Sequence, residues 1–351
     1  MLNFLNTYKN IKVLVTGHTG FKGSWLVLWL KLLGAEVVGV ALDPRTNKDN
    51  YVLSGIEQKI TDYRVDIRNK EQLHEIIAKE KPEVLFHLAA QPIVLDSYNN
   101  PVETYETNIM GTVHLLEAFR NSESLHTGIF VTSDKCYENR EWVWGYREND
   151  PMGGHDPYSS SKGAAELVIQ SYRQSFFSNS DKNIASVRAG NVIGGGDWSP
   201  FRIVVDLVKA IETGKPLEVR NPNATRPWQH VLEPLGAYLL LGAKMMEQPG
   251  RFDEAWNFGP ESANIASVKA LVESFIHTWG QGTWEDQSDA KKLHEANLLA
   301  LDISKARHRL NWQPKLSFHK TVQYTVDWYK NYKTENVMNL CINQIKDYIA
   351  K

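Results

Sequence analysis

The sequence predicts an α/β fold: a doubly wound parallel sheet followed by a smaller C-terminal α/β domain. Short β-branched runs alternate with longer helical patterns through the first half of the chain, which is typical of parallel strands joined by crossover helices. A Gly-rich turn follows the first run directly, and the composition changes after about residue 190 to glycine and proline. The predicted strands are Ile11–Val15, Glu36–Ala41, Glu83–Leu88, Gly128–Thr132 and Asn183–Val187.

Two segments between these strands predict amphipathic helices, because apolar residues recur there every three or four positions. A further amphipathic helix is expected over 339–351. The two recurring sets are Val102, Tyr105, Ile109, Val113 and Leu116, and Tyr158, Ala165, Ile169, Tyr172 and Phe176.

Composition excludes several classes of protein. The chain has 351 residues, 42% of them hydrophobic, and its 39 Lys and Arg against 41 Asp and Glu give a net charge of −2. The net charge therefore provides no overall electrostatic attraction to nucleic acid or to an anionic membrane. Its two cysteines, Cys136 and Cys341, form no metal or disulfide pattern, and no metal site is expected. With no signal or membrane-spanning pattern, we expect a cytoplasmic protein.

The turn after the first strand has the pattern of a dinucleotide-binding loop. In Thr16–Gly23, Gly17 permits the tight turn, Gly20 lets backbone amides approach a pyrophosphate, and Gly23 allows close helix packing. Thr19 and Phe21 complete the loop. Asp43, 20 residues past Gly23, follows the second strand and is placed to accept both adenosine ribose hydroxyls. It favours NAD over NADP, although the nearby cations Lys22 and Arg45 leave strict preference open.

Three more residues are candidates for the cofactor site. Asp66 and Ile67 follow a third strand and could hold the adenine, although a solvated turn acid would look the same. Ala89 follows the fourth strand, where a small residue suits either a flat cofactor or plain packing.

Tyr158 and Lys162 lie four residues apart, so on a helix they share one face. A tyrosine base near neutral pH needs its pKa lowered by about 3 units, or about 4 kcal/mol. An ammonium group ~4 Å away supplies about that much at an effective dielectric of ~20. Ser133, Asp134 and Lys135 follow the fifth strand, at the sheet edge where ligands sit in such folds.

These residues resemble the extended short-chain dehydrogenase/reductase family. TGHTGFKG, Ser133-Asp134-Lys135 and Tyr158-x-x-x-Lys162 carry that resemblance, and it runs from about residue 10 to about residue 330. Within the family, several longer segments resemble nucleotide-sugar 4,6-dehydratases. These are GHTGFKGSWL, SDKCYEN, ENDPMGGHDPYSSSKGAAE, RAGNVIGGGDW and RPWQHVLEPL.

The resemblance implies an NAD-dependent dehydration with catalytic residues Ser133, Asp134, Lys135, Tyr158 and Lys162. Related dehydratases carry Glu where this chain has Lys135, and that departure is the one expected of the branch acting on CDP-D-glucose. Lys135 is then either the base at C5 of the sugar or a stabiliser of the enolate. A homodimer is also implied, with helices near Asn108–Phe119 and Tyr158–Phe176 at its interface.

Arginine is the side chain suited to chelating a diphosphate, so Asn191, Arg202 and Arg226 are expected to bind the substrate. A second phosphate clamp is not found upstream of Asp302, where 294–297 read His-Glu-Ala-Asn. Trp198 and Trp228 are candidates for stacking on the base or for the core.

The expected organisation is an NAD-binding Rossmann domain over residues 1–190 with some later segments returning to it. A mainly nucleotide-sugar-binding domain over 191–330 and a helical tail over 331–351 complete it. Three alternatives remain: a nucleotide-sugar 4-epimerase, a 4,6-dehydratase of another nucleotide hexose, and a non-catalytic NAD-binding protein on the same fold.

Overall fold

The computed structural model describes residues 6–261, 264–288 and 298–351. The strands are β1 (Lys12–Thr16), β2 (Glu36–Ala41), β3 (Thr61–Arg64), β4 (Val84–His87), β5 (Thr127–Val131), β6 (Asn183–Arg188), β7 (Val192–Ile193), β8 (Leu217–Val219), β9 (Thr225–Arg226), β10 (Gln229–His230), β11 (Ala255–Asn257), β12 (Ala266–Ser267) and β13 (Trp284–Asp286). The helices are α1 (Phe21–Leu32), α2 (Asn50–Ser54), α3 (Lys70–Glu80), α4 (Val94–Asn99), α5 (Pro101–Tyr105), α6 (Gly111–Asn121), α7 (Pro157–Tyr172), α8 (Ile203–Thr213), α9 (Leu232–Glu247), α10 (Val268–Trp279), α11 (Phe318–Asn331) and α12 (Val337–Ala350).

Seven parallel strands form the central sheet in the order β11-β6-β5-β4-β1-β2-β3. The order reverses between β1 and β4, which is where ligands bind in doubly wound sheets. The predicted fold class is confirmed, and each of the five bounded strands lies within one residue of its predicted ends. Three two-stranded sheets, β7 with β10, β9 with β12 and β8 with β13, lie outside the central sheet.

Side chains alternate between the two faces of the central sheet, and helices cover both faces. Val13 and Val15 of β1 pack into a cluster that includes Trp25 and Trp29 of α1. Leu14 points the other way, into a cluster that includes Leu115 of α6. Among the described residues, no helix is long and apolar enough to cross a membrane.

The first predicted amphipathic helix is present, but much of its apolar stripe is not buried in this chain. It is made of α5, a π-helical turn at Glu106–Met110, and α6. Val102 is 69% exposed and Tyr105 is 37% exposed, whereas Leu116 is buried. The stripe therefore has an unburied portion that the core does not use.

The C-terminal helix α12 is anchored to the central sheet through a buried carboxyl group. Oε1 of Glu233 in α9 accepts hydrogen bonds from the backbone N–H groups of Lys315 (2.8 Å) and Leu316 (2.6 Å). Its Oε2 accepts the Tyr348 hydroxyl of α12 at 2.8 Å, and the Tyr348 ring packs on Trp29. Burial raises the pKa of Glu233 to about 7, although these hydrogen bonds oppose the rise.

We expect the stability of the protein to fall between about pH 4.5 and pH 7 because of Glu233. The folded state holds the Glu233 proton up to about pH 7, while the unfolded chain releases it near pH 4.5, so unfolding becomes easier as pH rises. The shift corresponds to about 3 kcal/mol. In Glu233→Gln this part of the pH dependence should disappear, as measured by urea unfolding at several pH values. Parallel pH profiles for the two proteins would contradict it.

Candidate active site

The Gly-rich loop lies at the reversal point between β1 and β4. Gly17 has φ 75°, and its N–H donates to the Val40 carbonyl oxygen at 2.8 Å. A Cβ at Gly17 would lie 2.7 Å from the Ala89 nitrogen, and one at Gly23 would overlap the Gly17 carbonyl oxygen. Both positions require glycine for the predicted reasons. Helix α1 starts after Gly20, and its first amide groups have no partner within the helix, which makes them donors for an anion.

Two other loop residues fix the loop through their side chains. The Thr19 hydroxyl donates to the Leu42 carbonyl oxygen at 2.9 Å and ties the loop to the end of β2. The Phe21 ring lies 3.1 Å from where a Cβ at Gly194 would stand, so it packs against the segment after β7. The side chains are thus occupied by contacts within the protein, and a role of these residues in binding a cofactor stays a prediction.

The candidate adenosine end holds Asp43, Asp66 and Ile67. The Asp43 side chain is 86% exposed, and its Oδ1 lies 3.1 Å from Nε of Arg64. Asp66 accepts both a backbone and a side-chain hydrogen bond from Arg68. Burial raises the pKa of Asp66, but the hydrogen bonds from Arg68 outweigh it and hold the pKa below its ordinary value. Ile67 is buried, so only its backbone is available to an adenine. Binding by these residues stays a prediction.

Ser133, Asp134 and Lys135 lie together at the end of β5, as expected. The Ser133 hydroxyl donates to Oδ1 of Asp134 at 3.0 Å and accepts the Lys135 N–H at 3.2 Å. Asp134 is 2% exposed, and its Oδ2 is buried with no hydrogen-bond partner among the described residues. A Cβ at Gly190 would overlap this carboxylate. Gly190 follows β6 and has no side chain, and this leaves room for the Asp134 carboxylate.

Tyr158 and Lys162 are brought to the same place by α7. Asp156 caps this helix by accepting the Ser159 N–H at 2.9 Å, and Pro157 starts it. The Tyr158 hydroxyl hydrogen-bonds to Ser133. The two strand-end and helix segments therefore converge, and the predicted set of catalytic residues occupies one site.

The predicted lowering of the Tyr158 pKa is not found for the chain alone. Burial raises the pKa of Tyr158 above its ordinary value, and the hydrogen bond with Ser133 and the charge of Arg202 oppose this rise. Burial also lowers the pKa of Lys162 to about 8, with Lys22 adding to the shift. Desolvation is therefore the largest cause of the pKa shift of each group.

The Lys135 side chain is exposed, and the charges of Arg202 and Arg226 act on it. Crowding by the cleft walls lowers the pKa of Lys135, the charges of Arg202 and Arg226 lower it further, and Asp134 and Asp156 oppose them. The two arginines predicted to bind substrate are thus close enough to Lys135 to act on its charge.

Asn191 has φ 48°, and it lines a cavity together with Asp197, Arg202 and Trp228. Trp228 is 6% exposed and donates its indole N–H to the Ala266 carbonyl oxygen at 3.0 Å. Trp198 is likewise buried, against Tyr329 and Tyr332, so both tryptophans belong to the core. The segment 294–297, searched for a second phosphate clamp, lies outside the described residues.

Lys22 was considered from the sequence as a cation near the adenosine, and that placement is wrong. It is the second residue of α1, and its charge acts on Asp134, Asp197 and Arg202 at the catalytic end. Burial lowers its pKa to about 8, with the two carboxylates opposing. Lys22 lies on the first turn of α1, which begins at the carboxyl ends of the strands. That position in the sequence could have predicted where its charge acts.

A buried ion pair that the sequence did not predict lies beside the predicted catalytic residues. Arg188 of β6 lies 2.7 Å from Oε2 of Glu166 on α7, and both side chains are nearly inaccessible. Glu166 also accepts the hydroxyls of Thr132 (2.5 Å) and Ser186 (2.8 Å). Arg188 also donates to the Tyr137 hydroxyl at 2.6 Å. Glu166 lies four residues after Lys162, so the sequence could have predicted that it shares the face of α7 that carries Tyr158 and Lys162.

A glycine loop at the reversal point of a doubly wound sheet, with a Tyr-Lys pair at the neighbouring strand ends, defines a short-chain dehydrogenase/reductase. The chain belongs to the family described as GDP-mannose 4,6 dehydratase, whose family model matches residues 14–325.

Individual relatives agree with this assignment. The chain is 45% identical over 351 residues to the CDP-glucose 4,6-dehydratase of Salmonella typhimurium, with 98% of each chain covered. It is 28% identical to the dTDP-glucose 4,6-dehydratase of Neisseria gonorrhoeae, covering 92% of this chain and 96% of the relative.

Solved structures show the same fold at lower identity. A dTDP-glucose 4,6-dehydratase from Bacillus anthracis in complex with NAD matches with a TM-score of 0.76 and 24% identity, covering 93% of this chain and 99% of that one. A UDP-glucose-4-epimerase from Stenotrophomonas maltophila with bound NAD and formylated UDP-arabinopyranose matches with a TM-score of 0.80 and 20% identity, covering 92% and 99%.

We expect Gly190→Ala to abolish most of the loss of water from a nucleotide sugar. The added methyl group displaces the Asp134 carboxylate, and a positioned acid or base typically contributes about 10²- to 10⁴-fold to a rate. The matched control is Gly259→Ala, whose Cβ meets only ordinary contacts at 3.5 Å or more. Turnover and thermal melting would be measured for both variants. Normal turnover in Gly190→Ala would show that the position of Asp134 does not matter.

Proposed function

We propose that the chain converts CDP-D-glucose into CDP-4-dehydro-6-deoxy-D-glucose and water, with NAD as its cofactor. The observation that carries the proposal is the Asp134–Lys135 pair beside Ser133 and Tyr158, because an acid and a base at the sugar distinguish a dehydratase from an epimerase. The CDP-glucose 4,6-dehydratase relative at 45% identity supports the choice of nucleotide.

The glycine loop fits a dinucleotide. The missing side chains at Gly17 and Gly23 leave the backbone open beside the first amides of α1, which suits a pyrophosphate. Asp43 at the end of β2 would accept the ribose hydroxyls, and the backbone at Ile67 and Ala89 would face the adenosine. A bound NAD would supply the acceptor for the hydride of C4 and the donor that returns it to C6, so no net NADH would form.

Tyr158 removes the proton of the sugar 4-hydroxyl. Ser133, which already hydrogen-bonds Tyr158, orients the same oxygen, and Lys162 on the next turn of α7 contributes positive charge. Burial of Tyr158 keeps bulk water from this oxygen.

Lys135 and Asp134 perform the elimination. Lys135 takes the C5 proton made acidic by the ketone at C4, and Asp134 gives a proton to the leaving 6-hydroxyl, so that water departs. Lys135 returns a proton to C5 when the hydride adds at C6. The low pKa of Lys135 in the crowded cleft supports a base more than an enolate stabiliser. A 4-epimerase needs neither group, so these two residues disfavour that alternative.

Arg202 and Arg226 are proposed to hold the substrate diphosphate together with Asn191. Both guanidinium groups act on the charge of Lys135, which supports a position near the sugar end of the substrate. Guanidinium groups pair with phosphate oxygens in a bidentate manner, so they would fix the distance from the diphosphate to the reacting carbons.

We also propose that the protein is a homodimer. Apolar side chains remain exposed on the neighbouring helices α5 to α7, including Val102 at 69%, Met110 at 46% and Leu167 at 56%. An apolar patch of this kind on packed helices fits a second copy of the same surface. Light scattering after size-exclusion chromatography should give about twice the chain mass of 40.0 kDa, and a mass of one chain would contradict the dimer.

The proposed reaction is tested by incubating the protein with CDP-, UDP-, dTDP- and GDP-hexoses, with and without NAD. We expect mass spectrometry to show loss of one water from CDP-glucose alone, without accumulation of NADH. Loss of water from another nucleotide sugar would change the substrate, and unchanged mass with altered sugar stereochemistry would identify an epimerase.

A further inference from the structure

Arg64, which neither the resemblance nor the proposed reaction assigns, lies at the candidate adenosine end. It is the last residue of β3, and its Nε lies 3.1 Å from Oδ1 of Asp43. Its side chain is 30% accessible, whereas that of Asp43 is 86% accessible. A cation is therefore paired with the carboxylate that is proposed to bind the ribose.

The position of Arg64 is fixed from its other side. Its guanidinium donates to Oδ1 of Asp62 at 2.7 Å and to the Tyr51 hydroxyl at 3.3 Å, and it lies 5.2 Å from the centre of the Tyr51 ring. Asp62 in turn accepts the Tyr51 hydroxyl at 2.5 Å and contacts Nε2 of His18 at 2.9 Å. His18 belongs to the glycine loop and is fully buried. Arg64 is thus part of a cluster that is anchored in the loop.

This arrangement has two consequences for a bound nucleotide. Asp43 projects into solvent, and its pairing with Arg64 restricts where its free carboxylate oxygen points, so less freedom is lost when a ribose binds. Two carboxylates share the Arg64 charge, Asp62 at a terminal guanidinium nitrogen (2.7 Å) and Asp43 at Nε (3.1 Å). When the Asp43 charge is removed, the guanidinium edge that it occupied is released and is a suitable partner for a phosphate monoester.

Resting on the proposed NAD function, we propose that Arg64 determines cofactor specificity together with Asp43. It orients Asp43 toward the ribose hydroxyls of NAD, and it becomes the partner of the 2′-phosphate of NADP when the Asp43 charge is removed.

The test is a set of four full-length proteins: the native chain, Asp43→Asn, Arg64→Met and the double variant. Dissociation constants for NAD and NADP would be measured by isothermal titration calorimetry. We expect Asp43→Asn to shift the preference toward NADP by about tenfold or more, and the shift to fall below about twofold in the double variant. Arg64→Met alone should weaken NAD binding by about threefold to tenfold and bring no gain for NADP.

Tyr51→Phe is the matched control, because it removes the hydroxyl that contacts Arg64 and Asp62 but leaves the pairing of Arg64 with Asp43. Its ratio of NAD to NADP affinity should equal that of the native chain. An equal gain for NADP with and without Arg64 would overturn the proposal and point to another cation, such as Arg45. An unchanged NAD constant in Arg64→Met would overturn the orienting role. Failure of the native chain to bind NAD would instead refute the proposed function.

Discussion

The buried ion pair between Glu166 and Arg188 is the interaction on which the catalytic end of the sheet depends. It joins α7 to β6, and through Thr132 it reaches the residue just before Ser133. Through Tyr137 and its hydrogen bond to Asn257 it reaches β11. Breaking such a pair is costly because it leaves one buried charge without a partner. Lys162 and the Ser133 segment are therefore held in one relative position by a network that they do not themselves form.

Charge balance in the cleft explains why its titratable groups depart from ordinary behaviour. Lys22, Lys135 and Lys162 each lie near another cation, and the carboxylates Asp134, Asp156, Glu166 and Asp197 supply the opposing charge. Burial and mutual repulsion lower the pKa of each lysine, while burial raises the pKa of Tyr158.

Patterns of neighbouring residues in the sequence were sufficient to predict most of the fold and part of the site. The β-branched runs and the glycine pattern predicted the strands and the turn after β1, because each depends on consecutive residues. The direction of Lys22, the space that Gly190 leaves for Asp134 and the pairing of Arg64 with Asp43 were not predicted. Each depends on residues from separate strands or loops meeting in space. The wrong expectation for Tyr158 had a different cause: a Coulomb attraction was counted, but the desolvation of both groups was not.

The central claim is that Lys135 acts at C5 of the sugar, and its most direct test is solvent exchange at that carbon. Lys135→Ala would be incubated with CDP-glucose and NAD in deuterated water, with transient NADH absorbance as the check that oxidation at C4 still occurs. The account predicts oxidation without incorporation of deuterium at C5, against full incorporation in the native chain. Normal incorporation in Lys135→Ala would contradict the role of Lys135 as base.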